Sequence, residues 1–243
     1  MSRPGQIRFL STLAAFYDPV VSSLGFRRLW DRVADHGAPM AGEECLDVCT
    51  GTGGVALALA ARGANVVGLD LAPGMLARAE RKARARGLGD RARFLHMDAR
   101  SIAFPDASFD LVTCCMALHE MAETERGTVL AEIVRVSRAR VLVAEYRVPS
   151  QGLSARLFSV RHAFEYFESD DFPAFVRRDV SDRLAAAGLS IDDVADVGRY
   201  RLWLCRARGW TRRFRGPRAF RRAAPRPLNP PRAIPRRCRP GPG

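Results

Sequence analysis

"LDVCTGTGG", residues Leu46–Gly54, is the stretch whose reading decides the fold. An apolar run enters a turn containing Gly51, Gly53 and Gly54, and the small-residue pattern VALALAARG follows at once. That order predicts a strand, a tight loop and a helix. Glycine has no Cβ, so a ligand can approach the backbone there, and the first turn of the following helix offers N–H groups without intrahelical partners. Gly51, Gly53 and Ala56 also satisfy the G-x-G-x-x-A dinucleotide fingerprint. The fingerprint alone does not say which nucleotide-containing ligand is meant, and the residues downstream must decide.

Outward from this loop, strand and helix patterns alternate. ECLDVC precedes the glycine turn, NVVGLD precedes PGMLARAERKARARG, and ARFLHMD leads to a loop. FDLVTCCMA is followed by the helix-like ETERGTVLAEIVRVS, and ARVLVAEY completes five strands whose intervening helices suit parallel crossovers. SIDDVADV and RYRLWLCRA lie close enough in sequence to form a hairpin at one edge. Ahead of the core, residues 7–36 read as helical, with Phe26, Leu29, Trp30 and Val33 spaced for one buried face. Residues 148–188 read as a helical insert rich in aromatics, among them Phe158, Phe164, Phe172 and Phe175, which serve either as ordinary helix core or as a lid over a substrate.

Charge divides the chain. All 26 acidic residues fall at or before Asp196, and residues 1–205 carry 26 basic ones, so the globular part is neutral. Residues 206–243 hold thirteen arginines, eight prolines and no acid, which assigns the net charge of +13 to a tail. From about Arg208 onward there is no hydrophobic period, and the expectation is a disordered segment. The domains expected are therefore an N-terminal helical segment over 1–36, a cofactor-binding domain over 37–207 and a tail over 208–243. Attraction to nucleic acid or an anionic membrane is an expectation for the tail alone; a solvated extension without a role is the simpler alternative. Cys45, Cys49, Cys114, Cys115, Cys205 and Cys238 form no CxxC pair and have no histidine at metal spacing, so reduced cysteines and no metal are expected. Nothing resembles a signal peptide and no apolar run approaches the ~20 residues of a membrane span. The expected location is cytoplasmic.

Three acids now narrow the ligand. Asp47 sits inside the first strand, Asp70 ends the second and Asp98 ends the third in HMDA. An NAD-binding loop normally has no acid embedded in its first strand, whereas a strand-end acid such as Asp70 can bridge two ribose hydroxyls. Acids at three successive strand ends resemble the S-adenosylmethionine (SAM) pocket of class I methyltransferases. Within that class, FYDPVVSSLGFRRLWDRV, DVCTGTG, LDLAPGMLARA, FPDASFDLVT and TCCMALHE are similar to the ubiquinone/menaquinone-biosynthesis methyltransferases, over roughly residues 15–205. The resemblance implies an α/β, Rossmann-like fold with a mostly parallel seven-stranded sheet, a C-terminal antiparallel hairpin and helices on both faces. It implies SAM as cofactor and a small, apolar or aromatic methyl acceptor such as a quinone precursor.

Position by position, the resemblance places Gly51, Thr52 and Gly53 toward the methionine portion of SAM and Asp70, followed by Leu71, at the ribose. Asp98 would accept from the adenine amino group with Ala99 beside it, Met75 would pack on the adenine, and Cys115 would line the far wall. Asp47 would order the loop and reach the ammonium group of the cofactor through water. Each also has a simpler reading, as a turn cap, a strand-end acid or a core residue. The chain departs from the family pattern at Cys49, where a glycine is common, at Gly54, where an acid is common, and at the turn before the fifth strand. His119–Glu120 stands where the quinone enzymes usually have Arg–Asn, which bears on the acceptor. His119 is the candidate general base, since an imidazole titrates near neutrality, and a hydrogen-bonded packing role is its alternative. Two other functions stay open on the sequence: an NAD-dependent oxidoreductase, resting on Gly51, Gly53, Ala56 and Asp70, and a nucleic-acid-binding protein acting through the tail.

Overall fold

The structure is a computed structural model that describes residues 26–148 and 171–207 of the 243-residue chain. The N-terminal part of the expected helical segment, residues 149–170 of the insert and the tail from 208 lie outside the described residues.

Apolar runs become strands where the sequence predicts them. β1 (Glu44–Val48), β2 (Asn65–Asp70), β3 (Ala92–His96), β4 (Phe109–Cys115) and β5 (Ser137–Tyr146) pair in parallel. Leu46, Val67, Leu111, Val112 and Val143 are buried in them, the near-continuous apolar pattern of strands covered on both faces. Helix α1 (Phe26–Gly37) precedes β1, and α2 (Gly54–Ala60), α3 (Pro73–Ala85) and α4 (Glu123–Val136) link successive strands. Two short helices, α5 (Phe172–Val176) and α6 (Val180–Ala186), occupy the described end of the insert. The chain closes with β6 (Leu189–Val197) and β7 (Tyr200–Ala207).

Sheet order is β3-β2-β1-β4-β5-β7-β6, with β7 antiparallel to both of its neighbours. The hairpin turn has two residues, and Gly198 at its first position has φ 62°, the left-handed conformation that a tight turn of this kind demands. The expected fold class is what the structure has. More important for function, β1 pairs with β2 on one side and β4 on the other, so the strand order reverses there. Ligands of open α/β sheets bind beyond the carboxyl ends of the strands at such a switch point. The glycine loop leaves β1 at that place.

Helix α1 braces the loop from outside. Leu29, Val33, Ala34 and Gly37 are its buried residues, and full burial of a leucine contributes about 1.5–3 kcal/mol. Phe26 and Trp30 are half-buried instead, because they border the cleft rather than the core. A Cβ at Gly54 would lie 2.3 Å from the Trp30 ring, so the glycine permits α1 and α2 to pack this closely.

Candidate active site

The loop between β1 and α2 is held by two carboxylates. Thr50 Oγ1 donates to Asp47 Oδ2 at 2.6 Å, and Thr113 Oγ1, from β4, donates to Asp47 Oδ1 at 2.7 Å. Burial pushes the Asp47 carboxyl up to about 6, against the opposing pull of those hydroxyls and of the Ala56 N–H. The Gly51 N–H donates to Asp70 Oδ2 at 2.8 Å and the Ala72 N–H to Oδ1 at 2.9 Å. Burial also raises the Asp70 carboxyl, and these N–H groups oppose it. Asp70 therefore clamps the glycine loop to the end of β2, while unused lone pairs on both oxygens remain for a ligand.

Three residues of this loop have left-handed backbone: Cys49 (φ 56°), Gly51 (φ 54°) and Gly53 (φ 77°). Cys49 thus holds, at some strain, a conformation that favours glycine. Met116, just past β4, shares the conformation at φ 56°. Both non-glycine positions line the cleft, where strained backbone commonly collects. The two x-flanked glycines serve different ends. Around the Cβ position of Gly51 there is open space, whereas a Cβ at Gly53 would lie 2.9 Å from Ala79 Cβ and from the Phe94 ring.

Asp47, Gly51 and Thr52 reach the cleft from this loop, and Asp70, Leu71 and Met75 from the end of β2 and the start of α3. Asp98 and Ala99 enter after β3, and Cys115 at the end of β4. Gly53 does not line the cleft; it faces α3 and β3, so its place in the motif follows from packing. Desolvation keeps the Cys115 thiol well above its ordinary range and hence neutral, with the nearby Asp47 and Glu145 adding to the effect. Met75, Leu71, Met97 and Ala99 give the cleft an apolar wall suited to an adenine face.

The surroundings of Asp98 differ from expectation. Arg100 takes its carboxylate through Nη2 at 2.6 Å, Nε at 3.0 Å and its own backbone N–H at 2.9 Å. The Arg100 side chain beside it holds that carboxyl below the usual range. Arg100 Nη1 also donates to Glu125 Oε1 at 2.8 Å, bridging the loop after β3 to α4. Lone pairs assigned to an adenine amino group are thus largely committed to Arg100, a cleft residue that the D-A-R spacing could have flagged.

His119 is also placed differently from expectation. It lies in a single 3-10 turn, Leu118–Glu120, is 3% exposed and does not line the cleft. Its Nδ1 is 2.9 Å from Oε2 of Glu145, a fully buried carboxylate of β5. The rings of Tyr146, Phe172 and Phe175 surround the imidazole at centroid distances of 5.0, 6.0 and 6.0 Å. Its chain neighbour Glu120 does line the cleft, with Oε1 3.9 Å from His119 Nε2. Below this turn Arg126, 1% exposed, donates from Nε to Leu118 O at 2.7 Å and from Nη1 to Glu123 at 2.8 Å. Glu145 and Arg126 were missed in the sequence. A lone acid inside the apolar run ARVLVAEY is the available signal for Glu145, because a buried charge requires partners.

Among the described residues, five carboxylates (Asp47, Asp70, Asp98, Glu120, Glu125) and one cation, Arg100, line the cleft, and the cation is already paired. This charge balance suits a sulfonium and an ammonium group and opposes the pyrophosphate of a dinucleotide. The open approach at Gly51, the oriented Asp70 carboxylate and the apolar wall complete a cleft that fits SAM. Among the described residues, no group of three or more His, Cys, Asp or Glu side chains could hold a metal ion. No described helix is long and apolar enough to cross a membrane.

Fold and cleft define a class I SAM-dependent methyltransferase. A family model described as a methyltransferase domain matches residues 45–140. The demethylmenaquinone methyltransferase of Thermus thermophilus is 41% identical over 157 residues, which cover 62% of this chain and 70% of that one. That of Clavibacter sepedonicus is 35% identical over 72% of this chain and 69% of its own length. Among solved structures, the [4+2]-cyclase SpnF superposes with a TM-score of 0.58 at 23% identity, over 74% of this chain and 80% of that one. Magnesium protoporphyrin IX methyltransferase from Synechocystis PCC 6803, with bound S-adenosylhomocysteine, gives 0.58 at 18% identity, over 76% and 84%. These two show the fold alone. The chain belongs to the ubiquinone/menaquinone-biosynthesis methyltransferase family and uses SAM to methylate a small acceptor.

Proposed function

We propose that the acceptor is a hydroquinone ring methylated on carbon. The observation that carries this is the likeness to relatives named demethylmenaquinone methyltransferase, at up to 41% identity over 70% of their length. SAM, when bound, supplies an electrophilic methyl group on a sulfonium that is already a good leaving group. The chain's own residues align and protect. Asp70 accepts from the ribose hydroxyls with the lone pairs left beside Gly51 and Ala72. Met75, Leu71 and Ala99 pack on the adenine, and Thr52 and Gly51 border the methionine portion. Asp47 fixes the loop through Thr50 and Thr113, and Asp98 acts at the adenine end in concert with Arg100. Cys115 forms the far wall as a neutral thiol.

The acceptor enters beside Cys115, Met116, Ala117, Glu120 and Met121, which line the cleft on either side of the buried His119. Removing a phenolic proton raises electron density on the ring carbon ortho to it, and that proton reaches the buried His119 Nε2 through Glu120, whose carboxylate lines the cleft and lies 3.9 Å from it. The ring carbon would bond to the methyl group as the methyl–sulfur bond breaks and S-adenosylhomocysteine leaves; the ring hydrogen would then pass to water as a proton, restoring aromaticity, and the proton held by His119 would return to the phenolate oxygen. Alignment of this kind lowers a barrier by ~7–11 kcal/mol in favourable cases. Turnover with labelled SAM tests the reading, comparing demethylmenaquinol with its oxidised quinone. Methyl transfer to the quinol alone is expected; equal transfer to both, or none to the quinol, defeats it. His119→Gln is expected to lower kcat by ~10²-fold or more with SAM affinity within twofold of the wild type.

The free cysteines at Cys45, Cys49, Cys114, Cys115 and Cys205 support a cytoplasmic location. The arginines of residues 206–243 support attraction to polyanions, nucleic acid or anionic membrane, independent of the catalytic cleft.

A further inference from the structure

Glu145 is fully buried in β5, and among the described residues its carboxylate is hydrogen-bonded by the segment that follows β4. Oε1 accepts from the backbone N–H of Ala117 at 3.0 Å, Leu118 at 2.7 Å and His119 at 3.4 Å. Oε2 lies 2.9 Å from His119 Nδ1. A carboxylate offers acceptors only, so the hydrogen on that contact belongs to the imidazole. In the neutral ring the lone pair then falls on Nε2. The edge-to-face rings of Tyr146 (63°) and Phe172 (89°) restrict rotation of the imidazole about its position.

We infer that Glu145 is a positioning residue that holds His119 in its Nδ1–H tautomer, with Nε2 as the proton acceptor. The inference rests on the reading of His119 as the base. The two oxygens do separable work. Oε1 fastens the turn of residues 117–119 against β5, a task that any carbonyl oxygen performs. Oε2 sets the proton position on the imidazole, and an amide at that place would do the opposite. In Glu145→Gln the amide oxygen must take the Oε1 position, because an NH2 group there would face three N–H donors. The NH2 group is then left opposite Nδ1, to which it donates. The hydrogen moves to Nε2, and the ring can no longer accept a proton there. Fold and ring position persist while the tautomer reverses.

The test is the two-bond ¹⁵N–¹H correlation spectrum of imidazole-labelled full-length protein, at a pH where the ring is neutral. The wild type is expected to show His119 Nδ1 with a pyrrole-type shift and Nε2 with a pyridine-type shift. Glu145→Gln is expected to exchange the two. Turnover of the variant is expected to fall by ~10²-fold or more, within the range general-base catalysis contributes, with SAM affinity within twofold of wild type. An Nε2–H tautomer in the wild type overturns the inference without recourse to any variant. So does an unchanged tautomer in a folded Glu145→Gln. Reversal of the tautomer with undiminished turnover, matched by undiminished turnover in His119→Ala, overturns instead the base reading on which it rests.

Discussion

At Asp47, burial outweighs three hydrogen bonds, and the carboxyl titrates at about 6 rather than 3.8. The folded state therefore holds a proton that the unfolded state has released between those two pH values. Stability falls as pH rises from about 4 to about 6 and is level above, by about 3 kcal/mol at most. Carboxylates held low by arginines, such as Asp98 and Asp196, work in the opposite direction at lower pH. The contribution of Asp47 is thus isolated by difference. Asp47→Asn is expected to flatten unfolding free energy against pH over that window, because Thr50 and Thr113 hydroxyls can reverse to suit an amide. An unaltered slope in denaturant titrations would place the shift elsewhere. Asp70 combines two roles. Asp70→Asn presents an NH2 group to one of two backbone N–H donors, so a loss of about 1–3 kcal/mol in stability is expected. Loss of one charge-assisted bond to the ribose adds an approximately thirtyfold drop in SAM affinity, about 2 kcal/mol. Asp70→Ala is expected to be worse on both. A melting curve beside a SAM titration separates the roles, since either can fail alone. The sequence made both acids legible as site residues, but Asp70's bonds to Gly51 and Ala72 depend on how the loop folds back on β2.

Strands, helices and the terminal hairpin follow from periodicity, because each apolar run matches one face or two faces of a sheet. The glycine loop shows where that reading stops. Gly51 and Gly53 are equivalent in the G-x-G pattern, yet one faces ligand space and the other Ala79 and Phe94. Only the register of α3 and β3 against the loop distinguishes them. Gly51→Ala is expected to cost about 1 kcal/mol of stability, the strain of a left-handed alanine, and to weaken SAM binding. Gly53→Ala adds to the same strain a Cβ at 2.9 Å from two neighbours, so its stability loss is expected to be larger by about 1–3 kcal/mol. Thermal unfolding of the pair reads the contrast, and equal losses would refute the division of labour. The segment after β4 was harder to read. TCCMALHE suggested a base at His119 but not its burial, since the Glu145 carboxylate that holds the turn comes 26 residues later in the chain.

Over the whole chain, two opposite fields are kept apart in sequence. The cleft is lined by carboxylates and suits a cationic cofactor, whereas residues 206–243 carry thirteen arginines and no acid. Composition made the second legible at once and concealed the first, because residues 1–205 are neutral as a sum and the clustering of acids at strand ends emerges only from topology. The two fields predict independent behaviour. Removing residues 208–243 is expected to leave SAM affinity and the melting temperature unchanged, since every cleft residue named above precedes Asp171. The same deletion is expected to abolish binding to polyanions. For the full chain, log K against log salt is expected to fall with a slope of about −0.9 for each phosphate engaged on duplex DNA, so an arginine-rich segment gives a steep dependence. Titration of full-length and truncated protein on duplex DNA and on anionic vesicles at two salt concentrations measures this. Binding that persists after truncation would move the polyanion surface to the folded domain, and a lower SAM affinity after truncation would couple the tail to the cleft.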